Sequence, residues 1–522
     1  MSRRVTRCCS CVVACSTLIW AGMLWAHPNE PPENEPPENE HPQQVPGLTL
    51  EEAVERVQRV AELNRRVETL FEQKRFREAR EALRELHRID PLDKYTLYNL
   101  ACAYAVLDDP ENAIEYLLDA LSCGFVEFHY MVRDPNLDSI RDHPQYRAII
   151  ENWTLLLDRR SEAEFAAMEA FFGPRYTYKR APDLRLNYVN SFDEESFVAA
   201  RGEIQRVAEW ASNLFADPAP STERPDPWVH ILLPTYEDFF RLVPSARIGG
   251  IYDRKRTRLI TRDIGPSLRH EFVHVLHWRH MDRLGQVHPI WIQEGLATLV
   301  EDIDAPADGS GGMEIRPSWR TNIASRLVRG GAVIPFERFT SMDREQFMGR
   351  RVSAHYAQAR AMMYYLHEKG LLAEWYRAYV ENFDEDPTGL EALITTLDAP
   401  LRDIERAYRI WSLNLPRVAE IDRPGEASLG VDLKPGRGIG PEVNLINDQL
   451  ARTVRPWGRG DRLRNRDIII EVGGTQVRTL DDLYRVLGDY EPEDIVPVRV
   501  RRGQREYELN IELIERPKQE IF

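Results

Sequence analysis

Residues 269–300 read RHEFVHVLHWRHMDRLGQVHPIWIQEGLATLV, an HExxH run at His270, Glu271 and His274 followed by a tryptophan-led WIQEG at Glu294. On a helix, side chains four apart share a face, so His270 and His274 can each aim a ring nitrogen at one Zn²⁺ at roughly 2.0–2.1 Å. Glu271 faces the same cleft from the next position. A catalytic zinc takes three protein ligands and leaves a fourth position for water, which the metal makes acidic. Glu271 is then the expected general base and Glu294 the expected third ligand.

A second histidine competes for the third place. His280 lies six residues after His274, the third-ligand position of the metzincin pattern, in which an intervening glycine breaks the helix and turns the chain back to the metal. Here the glycine position carries His277, and nothing in VLHWRHM supplies a break, so His280 travels onward on a continuing helix. Glu294 is better placed. Gly285 and Pro289 let the chain leave one helix and enter another, and WIQEGLATLVE carries apolar residues at helical spacing that would bury the second helix behind the metal. His277 and His288 read as polar or core histidines, and His280 as a neighbour of the site that does not ligate.

HEFVH followed by PIWIQEGLA resembles the gluzincin metallopeptidases, in particular the peptidase MA-like group. The resemblance implies His270, His274 and Glu294 as zinc ligands and Glu271 as base. It also implies an edge strand upstream of the HExxH helix to which an extended substrate adds in β-fashion, and IGGIYDRKRTRLITRD suits that place, with Gly249 and Gly250 allowing close backbone approach. Relatives often set a tyrosine on a downstream helix to stabilise the oxyanion; in SAHYAQARAMMYYLHEKG the match is Tyr356, with His355 beside it. Many relatives brace a ligand histidine with a carboxylate one turn after the third ligand. That place holds Thr298, so the brace is expected from Glu301 or a backbone carbonyl.

At 522 residues the chain exceeds what one core organises, and its 43% hydrophobic content is that of a globular protein, so three or four units are expected. A net charge of −16 gives no electrostatic support for nucleic-acid binding. Residues 1–26 read as a signal peptide or N-terminal anchor: Arg3, Arg4 and Arg7 precede an apolar run of sixteen residues, CVVACSTLIWAGMLWA. Cleavage after Ala26 and retention as an anchor both remain open, because Leu24 is large for the position three residues before the cut. VVAC ending at Cys15 lacks the preceding apolar stretch of a lipoprotein box. Four of six cysteines lie in this segment, leaving Cys102 and Cys123, which excludes a disulfide framework. The two could pair in an oxidising compartment if their helices juxtapose them, Cys102 reads as a buried small residue of the repeat, and neither has the CxxC partner that argues for zinc on sulfur. Residues 27–48, with the tandem PPENE, read as a disordered proline- and acid-rich linker.

From 49 to 152 the chain repeats at a 34-residue period, aligning Ala79 with Ala113, Leu83 with Leu117 and Leu86 with Ala120. This segment resembles a tetratricopeptide pair, with DPNLDSIRDHPQYRAII as a terminal cap. The reading is either a groove for a protein partner or a helical brace. Residues 160–420 hold the peptidase-like region: strands at LRLNYV and WVHILLP, a helix from about Glu194 to Ala216, and a mostly helical stretch over 316–416 that forms the far wall of the cleft.

Residues 425–516 resemble a PDZ domain. SLGVDLKP matches its first strand and carboxylate-binding loop, which would place Ser428, Leu429, Gly430 and Val431 at a peptide's C-terminus, and IVPVRVRR and YELNIEL alternate as paired strands. Arg466 stands where the family's turn has glycine. The expected architecture is multidomain α+β: α-helical tetratricopeptide-like repeats, a gluzincin α+β peptidase core with a helical C-terminal lobe, and a small β-rich PDZ domain. The expected activity is that of an exported Zn²⁺-dependent endopeptidase, periplasmic or extracellular, acting on protein or peptide substrates. The alternative is a non-catalytic envelope adaptor whose zinc site is structural or degenerate.

Overall fold

The computed structural model describes residues 50–215, 224–243, 249–304, 313–418, 427–434, 439–445, 462–478 and 480–515. The expected targeting segment and linker (1–48) lie outside the described residues, as do residues 435–438 and 446–461 of the PDZ-like region. The chain divides into two compact units at Leu157/Asp158.

Helices build the first unit. α1 (Leu50–Glu72) packs on α2 (Phe76–Ile89), and α3 (Lys94–Val106) on α4 (Pro110–Ser122), followed by the short α5 (Phe128–Met131) and α6 (Pro144–Glu151). Asp93 and Asp109 start α3 and α4 by accepting the Thr96 and Asn112 N–H groups that the first turn leaves unpaired. Ala79, Leu83 and Leu86 and their counterparts Ala113, Leu117 and Ala120 are all buried, so the 34-residue period is the period of the core-facing stripe. Cys102 is a buried thiol 3.3 Å from Asp134 Oδ2, and neither it nor Cys123 forms a disulfide.

In the second unit, α7 (Trp153–Phe172, from Asp158 onward) precedes a five-stranded mixed sheet ordered β1-β2-β3-β5-β4. Its strands are β1 (Thr177–Ala181), β2 (Leu186–Asn190), β3 (Val229–Leu233), β4 (Gly250–Asp253) and β5 (Arg258–Thr261). β2, β3 and β5 run parallel, while β1 and β4 are antiparallel edges. The central strands β2 and β3 are buried on both faces, polar Asn187, Asn190 and His230 included. Leu186, Val229, Ile231, Leu233 and Leu259 point into the main core, and Val189, Leu232 and Ile260 into a smaller cluster with Phe172 and Phe239. α8 (Glu194–Leu214), capped by Asp193, joins β2 to β3, and α9 (Tyr236–Leu242) follows β3. The sequence reading missed β1, whose polar TYKRA carries no alternating apolar signal.

Past β5, α10 (Pro266–Leu284) opens with proline in its first turn and ends at Gly285, whose φ of 72° is the left-handed conformation that stops a helix. α11 (Ile290–Leu299) enters after Pro289 and is buried along its length. Strands β6 (Ile303–Asp304) and β7 (Glu314–Ile315) pair after it. The far wall is helical: α12 (Trp319–Arg329), α13 (Phe336–Thr340), α14 (Arg344–Phe347), α15 (Val352–Glu368), α16 (Leu372–Glu381), α17 (Leu390–Leu397) and α18 (Leu401–Leu413).

The C-terminal part of this unit has its own core. β8 (Ala427–Ser428) pairs with β15 (Ile514–Glu515), and a sheet ordered β14-β13-β11-β10-β9 is built from β9 (Asp432–Lys434), β10 (Glu442–Leu445), β11 (Ile468–Val472), β13 (Ile495–Arg502) and β14 (Arg505–Glu512), with β12 (Thr475–Gln476) on β11. α19 (Leu480–Leu487) contributes Leu483, Val486 and Leu487 to that core. Arg466 takes φ 70°, a left-handed turn position that glycine fills without strain.

Candidate metal centre

α10 and α11 bring three side chains to one point. His270 Nε2 and His274 Nε2 lie 3.1 Å apart, and Glu294 Oε2 is 3.4 Å from the first and 3.5 Å from the second. Among the described residues this is the one group of three such side chains close enough to share an ion. Tetrahedral ligation at about 2.0–2.1 Å sets ligand atoms roughly 3.4 Å apart, so this spacing fits a zinc ion. Glu294 Oε2 is buried and accepts no hydrogen bond, an arrangement that costs free energy unless a cation compensates it. The residues that α11 buries hold it there: Trp291, Ile292 and Leu296 are inaccessible, so the helix cannot rotate Glu294 away.

Behind His270 stands the brace that Thr298 does not supply. Thr298 Oγ1 turns to its own helix, donating to the Glu294 carbonyl at 2.7 Å. Glu301 Oε1 instead lies 2.9 Å from His270 Nδ1. A carboxylate only accepts, so Nδ1 carries the hydrogen and Nε2 faces His274 and Glu294. Arg320 grips the same carboxylate with Nε (2.7 Å) and Nη2 (3.0 Å). Burial opposes ionisation of Glu301, but Arg320 and His270 outweigh it and hold the carboxyl well below the usual range. Burial likewise opposes ionised Glu294, and the two imidazoles hold it well below its ordinary value. For His270, burial lowers the pKa while the adjacent Glu294 and Glu301 carboxylates raise it to about 10, so the pocket favours positive charge at this point.

Glu271 lies beside the cluster and accepts the backbone N–H of Tyr252 on β4 at 2.7 Å. Gly250 eases this close approach, because a Cβ there would stand 3.1 Å from Glu271 Cγ and 3.1 Å from the Ile260 carbonyl. Among the described residues β4 pairs with β5 alone, and on its other edge the Tyr252 N–H is taken by Glu271. Tyr356 of α15 also comes to the site. Burial, then the nearby Glu294 carboxylate, push its phenol pKa far up, and Glu271 adds to the shift, so the hydroxyl keeps its proton. Arg320 lies 5.3 Å from the Tyr356 ring centre.

Other candidates go elsewhere. His355 is buried and its Nδ1 meets the Phe347 carbonyl at 2.6 Å. His280 rides the uninterrupted α10 and faces Tyr376 OH at 3.1 Å, while His277 Nε2 and His288 Nδ1 meet at 2.8 Å away from the ion position. In the C-terminal loop, Ser428 is in β8, Leu429 is buried in the core, Val431 packs on it, and the Gly430 N–H donates to Ser428 Oγ at 3.2 Å.

No family model and no curated protein matches this chain. Among solved structures it is similar to an aminopeptidase N family protein from Idiomarina loihiensis at 12% identity, over 66% of this chain and 67% of that one, with a TM-score of 0.25. A TM-score that low does not define a shared fold.

Sequence reasoning missed two members of the site. Arg320, twenty-six residues past Glu294, belongs to no motif. The Tyr252 N–H is a backbone group, and only the glycine pair before it marks a place where chains approach closely.

Proposed function

We propose that this chain is a zinc-dependent metallopeptidase, an endopeptidase acting on exported or envelope proteins. The observation that carries the reading is the convergence of His270 Nε2, His274 Nε2 and Glu294 Oε2 at tetrahedral spacing around a point lined by an unpartnered buried carboxylate oxygen. These three would hold Zn²⁺, which when bound supplies Lewis acidity to a carbonyl and acidifies water. Glu271, poised by the Tyr252 N–H, takes a proton from the attacking water and delivers it to the departing amine. Tyr356, held protonated, donates a hydrogen bond to the developing oxyanion. The outer edge of β4, which no other described strand pairs, would offer main-chain groups to an extended substrate, and this favours protein over small-molecule substrates. Export is part of the proposal on the strength of residues 1–26.

The test is zinc content and cleavage of an unfolded protein by wild type and Glu271→Gln. Both should bind zinc, and the variant should lose about 10²–10⁴ in rate. Equal inertness of the two on unfolded protein and on a broad peptide library would transfer the chain to the adaptor reading. Cleavage abolished by blocked substrate N-termini would make it an aminopeptidase.

A further inference from the structure

The C-terminal β domain meets the rest of its unit through arginines. Arg485 of α19 pairs with Asp304 of β6, and Arg501 of β13 lies 3.5 Å from Glu195 of α8. The first contact reaches the metal centre by a short route. Asp304 also accepts from Arg316 Nε at 2.8 Å, and its strand pairs with β7 through Ile303 with Ile315 and Asp304 with Glu314. β6 leaves directly from Glu301. β7 leads through the Ser318 cap into α12, whose second residue is Arg320. The two partners of the ion pair behind His270 therefore sit on the two arms that β6 and β7 bring together, and the Asp304–Arg316 ion pair ties one arm to the other. At the inner end Arg360 holds the Arg316 carbonyl at 2.7 Å.

We propose that Arg485 is a positioning residue for the metal centre: by gripping Asp304 from the C-terminal domain it fixes the β6·β7 pair, and through it the Glu301 carboxylate that orients His270. The inference rests on the zinc reading above and makes docking of the C-terminal domain a regulator of that site. A domain that lets go of Asp304 loosens the imidazole, and an imidazole locked on zinc favours the docked domain by the same factor.

The experiment measures zinc affinity of the full chain by competition with a chromogenic chelator for wild type, Arg485→Glu, Arg485→Lys and Glu301→Gln, with the thermal midpoints of the metal-free proteins alongside. Arg485→Glu should weaken zinc about three- to tenfold, less than the roughly 10–100-fold of losing a group bonded directly to a ligand. Arg485→Lys, which keeps the charge, should recover most of the loss. Because Arg485 is 46% exposed, the metal-free midpoint should not move. Zinc binding unchanged in Arg485→Glu but weakened in Glu301→Gln overturns the proposal and leaves the zinc site standing. Absence of zinc binding by wild type overturns both. Loss of zinc in step with a lowered metal-free midpoint, unrescued by lysine, reduces Arg485 to fold maintenance and also overturns it.

Discussion

Glu301 Oε1 stands 2.9 Å from Nδ1 of His270, on the opposite edge of the ring from the nitrogen that faces Glu294. The carboxylate thereby fixes both the tautomer and the aim of the ligand. Glu301→Gln keeps the size of the side chain but removes its charge and weakens the Arg320 fork. Zinc affinity, measured by chelator competition, should fall about 10–100-fold while His274→Ala falls further. Equal affinity in Glu301→Gln and wild type would sink the brace.

Tyr356 is proposed to act on charge that develops only during reaction. Tyr356→Phe should therefore lower kcat about 10²–10³-fold with little change in KM and none in zinc content. A variant that loses KM instead would place the phenol in substrate binding.

A metal held at this site would also contribute to folding stability, because His270, His274 and Glu294 come from two helices. Zinc at a hundred times its Kd should stabilise the full chain by about 2.7 kcal/mol. The shift, read as a rise in Tm over the chelated protein, should vanish in His274→Ala. A rise that persists there would locate the metal elsewhere.

His277 and His288 give the fold an acid limit independent of the metal. Burial lowers both pKa values well below 6.5, with neighbouring histidines adding to the effect, so the folded state keeps the rings neutral. The unfolded chain binds protons at these residues below about pH 6.5, where the folded chain does not. Their contribution is fully present above that pH and is lost as pH falls from it toward the depressed folded values, by roughly 1.4 kcal/mol per group per pH unit. Denaturant titrations of metal-free protein at pH 7 and 5.5 should show the loss, and His288→Gln should reduce it. An identical slope in variant and wild type would contradict this account.

Much of this was legible in the linear chain because the signals are local. Four-residue spacing puts His270 and His274 on one helical face whatever the rest of the chain does, and Gly285 with Pro289 ends one helix and starts the next for steric reasons that act within a few residues. LRLNYV and WVHILLP marked two strands of the sheet, and the 34-residue period marked the buried stripe of the first unit. β1 was hidden because its partner strand, not its own side chains, makes it a strand.

What the chain order could not give is proximity across long separations. Glu301 was one of two braces the sequence allowed, and its selection required the turn after α11 to bring the carboxylate back behind His270. Arg320 and the Tyr252 N–H join the site from segments whose local sequence says nothing of metal, because their positions follow from packing of the far wall on α11 through α15 and of the edge strand against α10. Local stereochemistry thus fixed the helices and the residues that could ligate, while tertiary packing alone chose which carboxylate, guanidinium and amide would stand around them.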